Sequence, residues 1–147
     1  MPGVPGARFN HVGQCVSDID RSRRFYCEVF GFEVARELQP PDEGSAALLR
    51  IPPPLGMTAT YLKRDDFILE LLHFSGAGVF AGEERVVNQL GLTHMSLSVE
   101  PDELPGVLAA VEEHGGEVLR DTDIGVAIFV KDPDGQLLEL LTQWEKP

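Results

Sequence analysis

The sequence predicts an α+β fold made of two tandem βαβββ modules. The stretches "FNHVGQCVSDIDRSRRFYCEVFGFEV" and "LTHMSLSVEPDELPGVLAAVEEHGGEV" share the order histidine, short strand, helix, glycine and strand. The later stretches "YLKRDDFILELLHF" and "IFVKDPDGQLLELLTQ" share the order strand, polar turn and strand, and both contain "LEL". Because internal similarity of this kind indicates a repeated structural unit, we expect the two halves to fold alike.

The repeat also predicts how the chain is divided. Residues 1–8 are rich in proline and glycine, so we expect them to form a flexible lead. Residues 9–147 are predicted to form a single domain, with module 1 at 9–75 and module 2 at 91–145. A chain of 147 residues is long enough to bury the core of one such domain.

The helix of each module follows from its apolar spacing and its end signals. In module 1, Asp18 is suited to cap the start, and Gly31 is suited to the left-handed conformation at the end. In module 2 the i, i+3, i+4, i+7 stripe is formed by Leu104, Val107, Leu108 and Val111. Each helix is apolar on one side and therefore needs a sheet to cover.

Three strands are predicted after each helix. In module 1 they lie near 32–37, at either 46–51 or 58–63, and at 67–73. In module 2 they lie near 117–120, 125–130 and 137–142. The sequence "DPDG" at 132–135 predicts the hairpin turn before the last strand, because proline suits its first corner and glycine its left-handed position.

Composition limits the partners and the location of the protein. The formal net charge of −12 repels polyphosphate, so we expect no nucleic acid partner. The apolar runs are far shorter than the roughly 18 residues of a membrane span, and no signal peptide is evident. We therefore expect a cytoplasmic protein with no membrane partner, in which Cys15 and Cys27 are reduced thiols.

Strand alternation groups the candidate functional residues. In 94–99 the large apolar residues should meet the helix, so His94 faces away from it. In 11–16 the same reasoning turns His11 and Cys15 away from the helix, although Gln14 interrupts the apolar pattern on the helix side. Glu70 and Glu139 stand within apolar strands, but alternation alone does not say which side of the sheet they face.

A shared metal ion accounts for these four residues together. A carboxylate within an apolar strand is unfavourable unless it is paired, hydrated or bound to a cation. If the halves pack about a pseudo-twofold axis, two imidazoles and two carboxylates meet, and this donor set suits Zn, Ni, Co, Fe or Mn. The alternative is that each histidine is a structural strand residue and each glutamate lies at a sheet edge. His73 is predicted to face the other side from Glu70, and His114 to cap the second helix.

These motifs resemble the vicinal oxygen chelate superfamily, the fold of glyoxalases, bleomycin resistance proteins and extradiol dioxygenases. The resemblance rests on "NHVGQCVSDIDRSRRFYCEVFGFEV", "FILELL", "GLTHMSLSV" and "DPDGQLLELL", in that order, and covers nearly the whole chain after residue 8. It implies mixed sheets that curl around a metal-containing cavity. It also implies that the metal ligands are His11, Glu70, His94 and Glu139.

The resemblance is closest to glyoxalase I-like and methylmalonyl-CoA epimerase-like members. It implies a lyase or isomerase in which one divalent ion chelates adjacent oxygens of a small-molecule substrate and stabilises an enediolate. Glu139 or Glu70 would shuttle the proton. Glutathione-dependent members have an arginine four positions after the first ligand, where this chain has Cys15, so the resemblance predicts the reaction class and not the substrate.

Two other functions stay open at this point, an Fe(II) extradiol-type dioxygenase and a non-enzymatic protein that sequesters an antibiotic or natural product. Dioxygenases of this fold hold iron with two histidines and one glutamate, so Glu70 would be an additional carboxylate. Members of the family often dimerise, and the edges of short modules favour pairing, so we expect a homodimer.

Overall fold

Two four-stranded mixed sheets, one from each half of the chain, make up the computed structural model, which describes residues 3–143. Module 1 contains β1 (Val12–Cys15), α1 (Ile19–Phe30), β2 (Glu33–Leu38), α2 (Asp42–Leu49), β3 (Met57–Arg64) and β4 (Phe67–Phe74). Module 2 contains β5 (Met95–Ser98), α3 (Leu104–Glu113), β6 (Glu117–Leu119), β7 (Ala127–Lys131) and β8 (Leu137–Leu141). The predicted α+β class with two related modules is confirmed.

The predicted module boundaries at 9–75 and 91–145 and the lead at 1–8 stay predictions. Of these ranges, residues 1, 2, 144 and 145 lie outside the described residues, as do 146 and 147 of the predicted domain.

Both sheets have the same topology. The strand orders are β1-β4-β3-β2 and β5-β8-β7-β6. In each sheet the first strand pairs in parallel with the last one, and the other pairs are antiparallel. The start of each module therefore lies directly beside its end, although many residues separate them in sequence.

The ends of α1 form as the sequence predicts. The Asp18 carboxylate accepts a hydrogen bond from the backbone N–H of Arg21 at 2.9 Å, which satisfies one of the free donors of the first turn. Gly31 ends the helix with a φ of 67°, a left-handed conformation that suits a residue without Cβ. Helix α1 buries Phe25, Tyr26 and Phe30 on its apolar side.

One of the two alternatives for the middle strand of module 1 is wrong. Residues 46–51 do not form a strand, because α2 occupies Asp42–Leu49, and β3 at Met57–Arg64 takes the place of the alternative at 58–63. Acidic residues in the first turn of α2 suit the helix dipole, and the alanines that follow favour helix. The predicted "DPDG" turn is confirmed, with Gly135 at a φ of 90° and its N–H donating to the Asp132 carbonyl.

The helix sides of the two sheets share one apolar core. Buried residues of module 1, including Phe25 and Leu71, pack in one cluster with Val111, Val130 and other residues of module 2. Gly116 lies at the junction, where an added Cβ would come within 2.6 Å of the Lys131 carbonyl oxygen and 2.9 Å of the Phe25 ring. A larger residue there would clash both with the backbone of β7 and with Phe25 of module 1.

A buried polar network also joins the modules. Asp132 in module 2 is 3% exposed and accepts hydrogen bonds from the Tyr26 hydroxyl at 2.7 Å and the Gln14 amide at 2.6 Å, both in module 1. The other carboxylate oxygen accepts from the N–H groups of Asp134 and Gln136. The network explains why polar Gln14 interrupts the apolar side of β1. Burial raises the pKa of Asp132 despite these hydrogen bonds, and burial beside that carboxylate raises the pKa of Tyr26 well above its usual value.

The described residues also bear on two other expectations from the sequence. Cys15 and Cys27 are free thiols, the first exposed and the second half-buried. Between residues 3 and 143, no helix combines the length and the apolarity that crossing a membrane requires.

A second link between the modules lies at the surface. His114 ends α3, as predicted, and its Nδ1 lies 2.9 Å from the Ala110 carbonyl oxygen. Its Nε2 lies 2.6 Å from a carboxylate oxygen of Glu28 on α1. The hydrogen bond to Ala110 and the contact with Glu28 both raise the pKa of His114.

Replacing Tyr26 with phenylalanine should destabilise the fold. The variant keeps the ring in the core but removes one of the hydrogen bonds to the buried Asp132 carboxylate, so we expect a loss of about 1–3 kcal/mol of unfolding free energy. Urea denaturation of the two proteins measures it. Ser98→Ala is the control, because the exposed hydroxyl of Ser98 lies outside the network, and its removal should change stability by less than about 0.5 kcal/mol. Equal losses for both variants would contradict a special role of the Asp132 network.

The link between His114 and Glu28 should stabilise the fold only where His114 is charged. Because its pKa is raised in the folded protein, the contribution is complete below the ordinary histidine value of about 6.5 and disappears as the pH rises through the raised value. His114→Gln should therefore lower the unfolding free energy at pH 5.5, by less than about 1 kcal/mol for a surface pair, and have little effect at pH 8.5. Glu28→Gln should behave alike in urea denaturation, and a pH-independent loss would contradict the assignment.

Candidate metal site

The first histidine–glutamate pair is formed by the parallel pairing of β1 with β4. His11 precedes β1, and Gly13 lies opposite Glu70 in the register of the two strands. His11 Nε2 is 3.6 Å from Glu70 Oε1. The pair lies on the side of the sheet away from the core, yet Glu70 is only 8% exposed.

The second pair repeats this arrangement in module 2. His94 precedes β5, and Ser96 lies opposite Glu139 in the parallel register of β5 and β8. His94 Nε2 is 3.7 Å from Glu139 Oε1. The two modules thus hold the same two side chains at nearly the same spacing.

The structure shows which face of the sheet the two glutamates are on, which alternation along the strands did not determine. The leucines that flank each glutamate are fully buried on the helix side, as 0% exposure of Leu69, Leu71, Leu138 and Leu140 shows. Since neighbouring residues on a strand point to opposite faces, Glu70 and Glu139 point to the side of the histidines. Each glutamate lies within an apolar strand because only one face of that strand belongs to the core.

Each imidazole is oriented by the side chain of the residue before it. His11 Nδ1 lies 2.5 Å from Asn10 Oδ1, and His94 Nδ1 lies 2.8 Å from Thr93 Oγ1. Both contacts leave Nε2 directed to the glutamate, as is typical when a second group orients a metal-binding histidine. Sequence reasoning missed Asn10 and Thr93; the polar residue before the histidine in both halves was the available signal.

The geometry of each pair suits a shared cation better than a direct hydrogen bond. Separations of 3.6 and 3.7 Å exceed the roughly 2.7–3.2 Å of a hydrogen bond between nitrogen and oxygen. Both atoms of a pair can nevertheless reach one ion at the about 2.0–2.2 Å of bonds from zinc to nitrogen or oxygen. Each pair therefore has the ligand types and the spacing of half a metal site.

The four predicted ligands do not meet within one chain. Across residues 3–143, no group of three or more His, Cys, Asp or Glu side chains is placed to hold one metal ion. The structure thus brings His11 to Glu70 and His94 to Glu139, but it does not bring the first pair to the second. The four-ligand set stays a prediction.

The two halves differ in the residues around each glutamate. Opposite Glu70 on β3 is Tyr61, whereas opposite Glu139 on β7 is Phe129. Both rings meet the neighbouring histidine edge to face, with centroids 5.4 and 5.3 Å apart. A hydrogen bond to Glu70, together with burial, raises the pKa of Tyr61 to about 12.

The support of the second glutamate comes from β5. Ser96 Oγ donates to Glu139 Oε1 at 2.9 Å, while the equivalent residue in module 1 is Gly13, which has no side chain to donate. The side chain of Glu139 is 25% exposed, against 10% for Glu70. Glu139 is the more accessible of the two carboxylates.

Two further sequence candidates lie apart from these pairs. His73 is directed to the other side of the sheet, where its Nδ1 lies 3.0 Å from the Val16 carbonyl oxygen, so it has a structural contact. Cys15 is exposed on β1, and partial burial and the nearby Asp134 raise the pKa of its thiol. A raised pKa lowers the thiolate fraction, which does not favour a nucleophile.

One protein superfamily matches almost the whole chain. The family model of the Glyoxalase/Bleomycin resistance protein/Dioxygenase superfamily matches residues 8–140. The chain belongs to this superfamily. The resemblance predicted from its motifs is thereby confirmed.

Curated members of the superfamily with similar sequences are named as lactoylglutathione lyases. The putative lactoylglutathione lyase of Brassica oleracea var. gemmifera is 30% identical over 146 residues, which are 95% of this chain and 46% of the relative. The probable lactoylglutathione lyase of Synechocystis sp. is 25% identical, over 86% of this chain and 88% of the relative. The chain spans about half the length of the Brassica relative.

Solved structures of the superfamily have the same fold. The glyoxalase family protein from Bacillus cereus superposes with a TM-score of 0.77 at 17% identity, covering 97% of both chains. The glyoxalase family protein from Enterococcus faecalis gives a TM-score of 0.62 at 27% identity, covering 92% of this chain and 98% of that one. The Bacillus similarity concerns the fold alone.

Proposed function

We propose that this chain is a divalent-metal-dependent lyase or isomerase of the glyoxalase type, acting on a small oxygenated substrate. The observation that carries this proposal is the repeated pair, His11 with Glu70 and His94 with Glu139, at equivalent places in two modules of a glyoxalase-superfamily chain. The lactoylglutathione lyases among its relatives support the same reaction class.

All four residues of the two pairs would hold the ion. Two imidazole nitrogens and two carboxylate oxygens suit Zn, Ni, Co, Fe or Mn and leave positions open for other ligands. When bound, the ion supplies Lewis-acid stabilisation of negative charge that develops on two neighbouring oxygens of the substrate.

A second copy of the chain would complete the site. The pairs of one chain are separate, and both lie on sheet faces that the shared core leaves uncovered. A twofold dimer uses the same surfaces on both subunits, so module 1 of one chain can face module 2 of its partner. Such a homodimer would contain two sites. Each site would combine the module 1 pair of one subunit with the module 2 pair of the other.

Within this site Glu139 is the better candidate for moving the proton. Its Oε1 accepts the Ser96 hydrogen bond, so Oε2 is the atom suited to take a proton from the substrate carbon and return it to the neighbouring carbon. Glu70 is less exposed and interacts with Tyr61, which suits a carboxylate that keeps its place. This transfer of a proton between neighbouring carbons isomerises the substrate, which neither gains nor loses atoms overall.

Metal binding should depend on both histidines. His11→Ala and His94→Ala should each lose most of the bound divalent ion, because each removes one of four ligands, while His73→Ala should keep it. Elemental analysis of natively purified protein and calorimetric titration of the metal-free protein measure this. Full occupancy in His11→Ala would contradict the four-ligand site.

Mixing the two histidine variants tests whether the site is shared between subunits. In a mixed dimer of His11→Ala and His94→Ala chains, one site loses both histidines and the other keeps all four ligands. Exchange of subunits should therefore restore roughly one ion for each mixed dimer. A site made within one chain would stay broken after mixing, and light scattering that gives the mass of a single chain would exclude the dimer.

Turnover should require Glu139. Glu139→Gln keeps the shape but removes the proton acceptor, so we expect the rate with its best substrate to fall by about 100-fold or more. Glu43→Gln, at an exposed position of α2, is the matched control and should be fully active. The substrate panel contains the glutathione hemithioacetal of methylglyoxal, methylmalonyl-CoA and catechol.

The same panel separates the alternative functions. Oxygen uptake with catechol by the iron-loaded protein would contradict an isomerase and favour a dioxygenase. Tight binding of a bulky aromatic compound without turnover, unchanged in Glu139→Gln, would favour a sequestration protein.

A further inference from the structure

A row of four residues crosses each sheet at the level of the histidine–glutamate pair. In module 1 the register aligns Gly13, Glu70, Tyr61 and Arg36 on β1, β4, β3 and β2. In module 2 it aligns Ser96, Glu139, Phe129 and Leu119 on β5, β8, β7 and β6. Directly opposed strand residues share one face, so each row lies on the face that carries the pair.

A β-bulge determines which residue of β2 joins the row. Val34 pairs with Leu62, and the register then shifts so that Arg36, and not Ala35, lies opposite Tyr61. Without this shift Ala35 would occupy the position beside the ring. Bulges are frequent beside active sites because they change the direction of a side chain. In β2 the bulge places a guanidinium where a regular strand would place a methyl group.

The charge of Arg36 is available for a ligand. Within residues 3–143 it forms no ion pair, and its strand partner is a tyrosine. The other cation of this face, Lys63, has Glu33 opposite it. A chain with a net charge of −12 repels anions in general, so an anionic group would need a local cation to bind here.

The row of module 2 is apolar at two positions where the row of module 1 is polar and charged. At the positions that correspond to Tyr61 and Arg36, module 2 has Phe129 and Leu119, both half-buried and without polar atoms in the side chain. If the modules of two subunits face each other, the substrate lies between a cationic wall and an apolar one.

We propose that Arg36 binds a carboxylate of the substrate, so that the site selects an anionic substrate that also has an apolar portion. This inference rests on the proposed function, because it uses the face that His11 and Glu70 share. Arginine suits this role, since its planar guanidinium can donate two parallel hydrogen bonds to one carboxylate. The apolar portion contacts Phe129 and Leu119.

Binding of a carboxylate and of its ester tests the proposal without turnover. S-hexylglutathione and its diethyl ester are titrated into the metal-loaded protein by calorimetry. The wild-type protein should bind the acid more tightly, and Arg36→Gln should weaken acid binding by about three- to tenfold, the range for a charge-assisted contact made by an exposed side chain. Binding of the ester should not change, and Arg36→Lys should recover part of the preference.

Two control variants test whether the lost preference for the acid is specific to Arg36. Arg24→Gln removes an exposed positive charge of α1, and Leu119→Gln alters the corresponding row position of module 2. Arg24→Gln should keep the preference for the acid. Leu119→Gln should weaken acid and ester alike. Equal binding of acid and ester by the wild-type protein, or an unchanged preference in Arg36→Gln, would overturn the proposal.

The binding test of Arg36 gives a result whether or not the protein catalyses the proposed reaction. If none of the panel substrates is turned over but the Arg36-dependent preference is present, the proposed reaction fails and the carboxylate site stands. If turnover occurs and the preference is absent, the reaction stands and the role of Arg36 fails.

Discussion

The buried carboxylate of Asp132 is the contact on which the arrangement of the two modules depends. It belongs to the turn between β7 and β8, but it accepts hydrogen bonds from Tyr26 and Gln14 of the other module. A buried carboxylate is strongly unfavourable unless both oxygens accept hydrogen bonds. The N–H groups of its own turn donate to one oxygen, and module 1 supplies the donors for the other. The shared apolar core and the close approach at Gly116 complete the same junction.

This junction has a direct consequence for the candidate site. Because the helix sides of both sheets meet in the core, the faces with the histidine–glutamate pairs lie outside it. The pairs have matching geometry but different surroundings, with Tyr61 and Arg36 beside one and Phe129 and Leu119 beside the other. A duplicated unit thus presents one polar and one apolar surface, and a twofold pair of chains would place them opposite each other.

Much of the fold could be predicted because its signals are local. The helix stripes, the cap at Asp18, the glycine after α1 and the "DPDG" turn all depend on neighbouring residues. The helix α2 was missed because its short apolar stretch fits a strand equally well. The β2 bulge and the partners of the two glutamates were not predictable, since register depends on contacts between strands that are distant in sequence.

The sequence by itself determined that two similar modules exist and that each contains a histidine and a glutamate in equivalent places, because repetition and alternation are properties of the chain order. Only the tertiary structure decided that both glutamates face the histidines, that the pairs of one chain remain separate, and that Arg36 replaces Ala35 in the row. These features depend on which sheet faces the core covers and on strand register. Both are set by packing across the whole molecule.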